Sequence, residues 1–274
     1  MPAPQSSPIH PANPLHTAVI RMQEIDSTSA YARREAAEGR LCLHPIVFVA
    51  RRQTSGVGRF GRTWSSPIGG LWMTLTWSVP TGGAGVGVGA GVGAEMLDGL
   101  GLRLGVACRQ SVARLLSEAG VQKSVLLKWP NDVLIDGRKV LGVLTELVAR
   151  GEQRWVLVGI GLNANFAVED LPEKLAGTST TMRVHTGRDI DLSTAERTIT
   201  SAVTGALQKS GVDAASLADA REHLYGIGQR TRVSLPDGSH VTGDLQELDD
   251  QGRAVFSVDG KPYTPPLGSV LMLA

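Results

Sequence analysis

The stretch Arg51-Arg52-Gln53-Thr54-Ser55-Gly56-Val57-Gly58-Arg59-Phe60-Gly61-Arg62-Thr63-Trp64 concentrates the residue types that bind anions. Between Gly39 and Ala94 there are five arginines and no acidic residue, in a chain whose formal net charge is only +1. Glycines let a backbone approach a ligand closely and present its N–H groups, and guanidinium forks match phosphate oxygens. Together they predict an anion or polyphosphate site. Gly56, Gly58 and Gly61 also satisfy G-x-G-x-x-G, but a dinucleotide fold needs a helix opening at that loop and an acid about 20 positions on. Here the loop runs into Thr63-Trp64-Ser65-Ser66-Pro67, and the next acid is Glu95. No G-x-x-x-x-G-K-[ST] occurs, which excludes a P-loop. A solvated basic surface loop is the plainer alternative.

A second cluster is Lys128-Trp129-Pro130-Asn131-Asp132, followed by Arg138-Lys139 and the apolar run Val140–Leu144. A lysine among apolar strand residues is costly to desolvate unless it meets an anion. Lys128 and Lys139 therefore read as cations aimed at a negative substrate from adjacent strands. The alternative is that each reaches water or pairs with an acid such as Asp132. Gly159-Ile160-Gly161-Leu162-Asn163 ends a further apolar strand on a polar side chain, a common place for a ligand contact.

The elements that must hold these groups follow from hydrophobic periodicity. Strands are predicted at Ala18–Ile25, Pro45–Ala50, Leu71–Ser78, Ser124–Lys128, Val133–Ile135, Val140–Val148 and Trp155–Ile160. Asp136-Gly137 marks a hairpin between two of them. Asp26-Ser27-Thr28-Ser29 supplies capping chemistry for a helix over about Tyr31–Glu38, and longer helices are predicted at Glu95–Ala119, Ser193–Lys209 and Ala214–Leu224. Met1–Pro14, with five prolines, reads as a disordered tail, and the Thr81–Gly93 tract, with seven glycines, as a mobile connection. From Gly226 short alternating strands with turns at Pro236-Asp237-Gly238, Asp249–Gly252 and Asp259-Gly260 predict a small β-barrel. The expected division is 1–14 tail, 15–225 catalytic domain and 226–274 barrel.

Taken in order, Asp26-Ser27-Thr28, Gln53 with the Gly-Arg loop ending at Trp64, Lys-Trp-Pro-Asn-Asp at 128–132, Arg138-Lys139 with Gly142, and Gly-x-Asn at 161–163 resemble the catalytic domain of biotin–protein ligases. The resemblance runs from about Val19 to Asn163 and implies an α+β fold. That fold has a mixed β-sheet flanked by helices, of the class II synthetase type, and a small C-terminal SH3-like barrel. It implies ATP-dependent conversion of biotin to biotinyl-5′-adenylate and transfer of biotin to a lysine of a biotin carboxyl carrier protein domain.

On this resemblance Ser27, Thr28, Ser29 and Gln53 hold the biotin end, with Gly56, Val57, Gly58, Arg59, Lys139 and Gly142 around the rest of it. Arg59, Arg62, Trp64, Lys128, Asn131 and Asn163 meet ATP. Lys139, Arg59 and Asp132 take the catalytic roles, and Mg²⁺ arrives with the ATP phosphates. Two positions depart from the family pattern. Ser29 stands where the family usually has Asn, and Val57 stands where it usually has Arg, which shortens one polar contact and removes one loop cation.

Bulk properties narrow the alternatives. A hydrophobic share of 42% and a charged share of 19% are those of a globular chain. No apolar run reaches membrane-spanning length and the start lacks signal-peptide character, so a cytoplasmic location is expected. With net charge +1 and only a short tail before the first strand, a nucleic-acid partner is not expected. Cys42 and Cys108 are too few for a disulfide framework and read as small core residues. A lipoate or octanoyl ligase is the rival enzyme, and a non-catalytic biotin or nucleotide sensor the rival of another class.

Overall fold

Two faces of one sheet carry different chemistry, and the alternation along its strands decides which. The structure is a computed structural model that describes residues 17–79, 97–235, 239–265 and, as backbone, 271–272. The expected tail, the 81–93 glycine tract and the Pro236-Asp237-Gly238 turn lie outside the described residues. The large sheet contains β1 (Ala18–Ile25), β2 (Ile46–Gln53), β3 (Leu71–Val79), β4 (Val125–Lys128), β5 (Asp132–Ile135), β6 (Arg138–Arg150) and β7 (Gln153–Leu162). Their order is β1-β2-β3-β7-β6-β5-β4, with β1 and β2 parallel and the other neighbours on this path antiparallel. Asp136 (φ 49) and Gly137 (φ 78) make the β5–β6 turn with two left-handed residues, as the Asp-Gly pair predicts.

On one face lies α1 (Thr28–Ala37), capped by the Ser27 side chain, which accepts from Ala30 N at 3.3 Å. The helix begins three residues earlier than the sequence pattern suggests because Ser27 takes the cap and Thr28 and Ser29 are already helical. It covers Ile46, Phe48, Val148, Trp155 and Leu157, all buried. The opposite face packs α2 (Leu100–Glu118) and α3 (Leu192–Leu207) against Val47, Met73, Leu75, Val156, Val158 and Ile160. The helix expected from Glu95 runs in the described residues from Leu100, where the left-handed Gly99 (φ 61) stands at its cap.

Along β7 the residues facing α1 are Trp155 and Leu157, and then Gly159 and Gly161. Burial of a large apolar side chain contributes roughly 1.5–3 kcal/mol. The two glycines forgo it, and so does Gly142, paired opposite Gly161 on β6. The sheet is stripped of side chains beyond the end of α1, and there the cavity described below opens.

Among the described residues after Gly226 a four-stranded antiparallel sheet forms, consistent with the small SH3-like β-barrel expected from the turns. It comprises β8 (Arg230–Ser234), β9 (His240–Leu248), β10 (Ala254–Val258) and β11 (Lys261–Tyr263), in the order β11-β10-β9-β8. A two-residue strand, β12 (Leu271–Met272), pairs in parallel with Glu146 and Leu147 of β6. The small sheet is fastened to the large one by a shared core of Leu102, Val106, Leu127, Leu245, Leu248 and Phe256. Trp129 Nε1 donates to Gly252 O at 3.1 Å, and Arg221 of α4 (Ala214–Glu222) donates twice to Leu248 O. Cys108 is buried as expected, whereas Cys42 is exposed in the loop before β2, its thiol donating to His44 O at 3.4 Å.

Candidate active site

A cavity of about 720 Å³ opens over the glycine floor of β6 and β7. It is lined by Ser27, Thr28, Ser29 and Gln53 at one end and by Val57, Gly58, Arg59, Arg62 and Trp64 along one wall. Lys128, Asn131, Asp132, Lys139, Gly142 and Asn163 line it from the central strands. Of the residues given a ligand or catalytic role from sequence, Gly56 alone does not reach this lining. It is buried behind the loop, where a Cβ would stand 2.4 Å from Trp64 O, so its part is to let two chain segments meet.

The enclosed end is an uncharged polar nest. Thr28 N and Oγ1 both donate to Gln53 Oε1, at 2.8 and 3.1 Å. Thr74 Oγ1 donates to Thr28 Oγ1 at 2.8 Å and receives Ser29 Oγ at 3.0 Å. Gln53 Nε2 donates to Ser66 Oγ at 2.7 Å. Ser27, Thr28 and Ser29 are 2–4% exposed, so these groups are held by one another instead of by water. Such a nest suits a neutral ligand group that both donates and accepts hydrogen bonds. Thr74 and Ser66 were not singled out from sequence. The signal for Thr74 was there, a hydroxyl inside the buried strand Leu71–Val79 on the face that α1 leaves open.

The acid-free loop is a tight hairpin. Gly58 N donates to Arg62 O at 2.7 Å, Trp64 N to Gly56 O at 2.8 Å, and Val57 pairs with Thr63. Its turn is Arg59-Phe60-Gly61, with Phe60 at φ 56 and Gly61 at φ 70. Trp64 lies flat on the floor: a Cβ on Gly161 would stand 2.5 Å from the indole, and one on Gly142 would stand 2.9 Å from it. Lys139 Nζ sits 4.7 Å from the Trp64 ring centroid. The Trp64 indole N–H is buried with no hydrogen-bond partner among the described residues.

The charge balance of the lining is one-sided. Arg59, Arg62, Lys128, Lys139, Arg230 and Arg232 face one carboxylate, Asp132. Burial pulls the Arg59 guanidinium below its ordinary range, Asp132 opposes that, and Arg62 adds to it. A site so arranged stabilises polyanions by many-fold charge compensation. Arg230 and Arg232 come from the edge strand β8, and sequence reasoning missed them because nothing local ties that strand to the catalytic loop. What brings them there is the docking of the small sheet through Trp129 and Arg221.

Several of these side chains already have partners within the protein. Lys139 is paired with Asp132, Nζ to Oδ1 at 2.7 Å, and its backbone is held by Thr178 O and Thr180 N, both at 2.8 Å. Lys128 ends β4 and is exposed, so no desolvation is at stake there. Asn131 Nδ2 donates to Val143 O and Asn163 Nδ2 to Thr180 O, which commits part of each amide to the backbone. No group of three or more His, Cys, Asp or Glu is arranged for a metal among the described residues.

Residues 24–163, just over half the chain, match the biotin/lipoate A/B protein ligase family. The biotin--[acetyl-CoA-carboxylase] ligase of Mycobacterium tuberculosis is 32% identical over 255 residues, covering 90% of this chain and 86% of that protein. The chain belongs to this ligase family.

Within the family, the bifunctional ligase/repressor BirA of Escherichia coli is 27% identical over 254 residues, covering 90% of this chain and 72% of that protein. The Aquifex aeolicus biotin protein ligase in complex with biotin and ATP superimposes with a TM-score of 0.71 at 26% identity, covering 93% of this chain and 97% of that one. The family's mixed sheet with flanking helices is therefore the fold of this ligase as well. No helix among its described residues is long and apolar enough to cross a membrane.

Proposed function

We propose that this family member activates biotin with ATP, forming biotinyl-5′-adenylate and pyrophosphate, and then transfers biotin to a lysine of a carboxylase's biotin carboxyl carrier domain. One observation carries the reading: a single cavity joins an uncharged polar nest to a rim of six cations across a floor without side chains. The nest around Thr28, Gln53 and Ser29 matches a ureido ring, which is neutral and both donates and accepts. The same nest favours biotin over lipoate, whose dithiolane offers no such donors. The cationic rim matches a triphosphate.

In the first half-reaction a carboxylate oxygen attacks the α-phosphorus and the α–β phosphoanhydride bond breaks, with its electron pair leaving on pyrophosphate. Repulsion between carboxylate and polyanion opposes that approach. Lys139 moves from Asp132 to the biotin carboxylate, and Arg59 and Arg62 hold the phosphates as charge shifts to the leaving group. Charge-assisted hydrogen bonds contribute roughly 1.5–3 kcal/mol each. Arg230 and Arg232 extend the cationic rim on the β8 side. The Trp64 N–H is available to a ligand acceptor, and Asn131 and Asn163 border the nucleotide.

Mg²⁺ belongs to the same proposal. Asp132 is the carboxylate that would meet an ion carried by the triphosphate, and Mg²⁺ commonly uses one or two carboxylates with substrate phosphates. When bound it offsets phosphate charge. In the second half-reaction a neutral lysine amine attacks the acyl carbon and AMP leaves. Until then the hairpin at 56–64 excludes water from the mixed anhydride. The 226–274 domain division and a cytoplasmic location are parts of this reading too.

The test is pyrophosphate release with ATP and biotin, with lipoate as the competing acid and a carrier domain as acceptor. Biotin-dependent release followed by carrier labelling is expected. Release with lipoate and none with biotin would overturn the assignment.

A further inference from the structure

Thr74 does not line the cavity, yet it decides how the polar nest at the enclosed end can hydrogen-bond. It is fully buried, while its partners Thr28 and Ser29 reach the lining. In the sheet it pairs with Gly159 of β7, and the missing side chain there leaves room for Ser29 Oγ to come within reach.

Each hydroxyl has one proton to give, so the direction of the bonds follows from the end that is fixed. The Thr28 backbone N–H can only donate, which turns Gln53 Oε1 toward it at 2.8 Å. Thr28 Oγ1, 3.1 Å from the same oxygen, gives its proton there as well. It then offers only lone pairs to Thr74 Oγ1 at 2.8 Å, so Thr74 donates. With its own proton committed, Thr74 accepts that of Ser29 at 3.0 Å. Thr28 and Ser29 are thereby left with lone pairs and no proton for the cavity. Ser27 has the opposite character. Its oxygen accepts from Ala30 N, and its proton has no acceptor among the described residues.

We propose that Thr74 is a positioning residue that sets the polarity of the nest, making Thr28 and Ser29 acceptors for the N–H groups of a cyclic urea. The inference rests on the biotin reading of the site. It assigns the discrimination between a urea N–H and an oxygen of similar size to a side chain behind the cavity wall.

The experiment titrates the full chain with biotin and with its cyclic-carbonate analogue, in which ring oxygens replace both ureido N–H groups. The parent should prefer biotin, because the carbonate sets lone pairs against lone pairs. Thr74→Val removes the hydroxyl, keeps the branched shape and frees the Ser29 proton to turn toward the ligand. Biotin should then bind about 3- to 10-fold more weakly, the value of one neutral hydrogen bond. The carbonate should hold its affinity, so the preference falls by the same factor. Thr74→Ala, which adds no crowding, should repeat that fall, and Thr74→Ser, which keeps the hydroxyl, should preserve the parent's preference. Thr76→Val is the matched control, since Thr76 Oγ1 is also buried on β3 but bonds the Ile46 backbone, and its preference should not move. A packing defect at position 74 would weaken both ligands alike and leave their ratio unchanged. If Thr74→Val and Thr74→Ala kept the parent's preference, or Thr74→Ser lost it, the role given to Thr74 would be wrong while the biotin reading stood. A parent that bound lipoate and not biotin would overturn both.

Discussion

Gly159 and Gly161 share one face of β7, two positions apart, and a methyl on each would strike a different end of the cavity. On Gly161 it would stand 2.5 Å from the Trp64 indole, and on Gly159 it would stand 2.6 Å from Ser29 Oγ. Contact distances for such atoms are near 3.5 Å or more, so Trp64 must move by about an ångström in Gly161→Ala. Neither glycine has a left-handed φ, so alanine is conformationally acceptable at both. Forcing a packed ring aside costs about 1–3 kcal/mol, and the loss of the Lys139–Trp64 contact adds about 0.5–1 kcal/mol. Expressed in the nucleotide-bound states, the sum of about 1.5–4 kcal/mol corresponds to a rise in KM for ATP of roughly 10- to 900-fold. Biotin affinity should change little in that variant. Gly159→Ala should do the reverse, weakening biotin through Ser29 while KM for ATP holds. Calorimetry with biotin and initial rates against ATP read the two arms separately. Both variants losing both ligands equally, or Gly161→Ala leaving ATP untouched, would refute the picture of a stripped floor that seats Trp64.

Lys139→Ala should slow adenylation by roughly 10- to 150-fold, the value of one charge-assisted hydrogen bond made in the transition state. The fold should persist because Thr178 and Thr180 hold the backbone of position 139; unchanged pyrophosphate release would contradict the role given to its ammonium. Arg59→Gly should slow adenylate formation without abolishing it and let what forms escape, so lysines of bystander proteins become labelled; a variant that forms adenylate at the parent rate and retains it would contradict the roles given to Arg59. Glu146 is paired with Arg33 at 2.6 Å, while its other oxygen is buried without a hydrogen-bond partner among the described residues. Burial raises its carboxyl above the usual range against the opposing pull of Arg33. As pH climbs through the ordinary carboxylate range the unfolded chain releases this proton first, so the group lowers stability from that range up to its folded pKa. Glu146→Gln should therefore flatten the fall of the urea midpoint across that window; parallel curves for the two proteins would argue against it.

Much of this site was legible in the chain because its parts are local signals. An acid-free Gly-Arg stretch, a Lys-Trp-Pro-Asn-Asp segment and an Asp-Gly hairpin each state their chemistry within a few residues. The strands were read from alternation, and the large sheet follows them closely. What sequence could not show depended on which elements meet. Ser66 and Thr74 join the nest only because β2 and β3 pair and α1 stops short of their end. Arg230 and Arg232 reach the cavity only because Trp129 and Arg221 dock the small sheet. Gly56 was read as a ligand contact because a glycine in a binding loop looks the same whether it faces the ligand or the neighbouring strand. Lys139 was read as a cation awaiting an anion; its partner Asp132 lies on the adjacent strand, and the sequence left both outcomes open.

The most direct measurement is a crystal structure of this chain with a non-hydrolysable biotinyl-adenylate analogue. The account predicts the ureido ring against Thr28 and Gln53, the acyl phosphate between Lys139 and the Arg59–Arg62 pair, and the 56–64 hairpin closed over the linkage. An analogue bound outside this cavity, with the hairpin turned toward solvent, would contradict it.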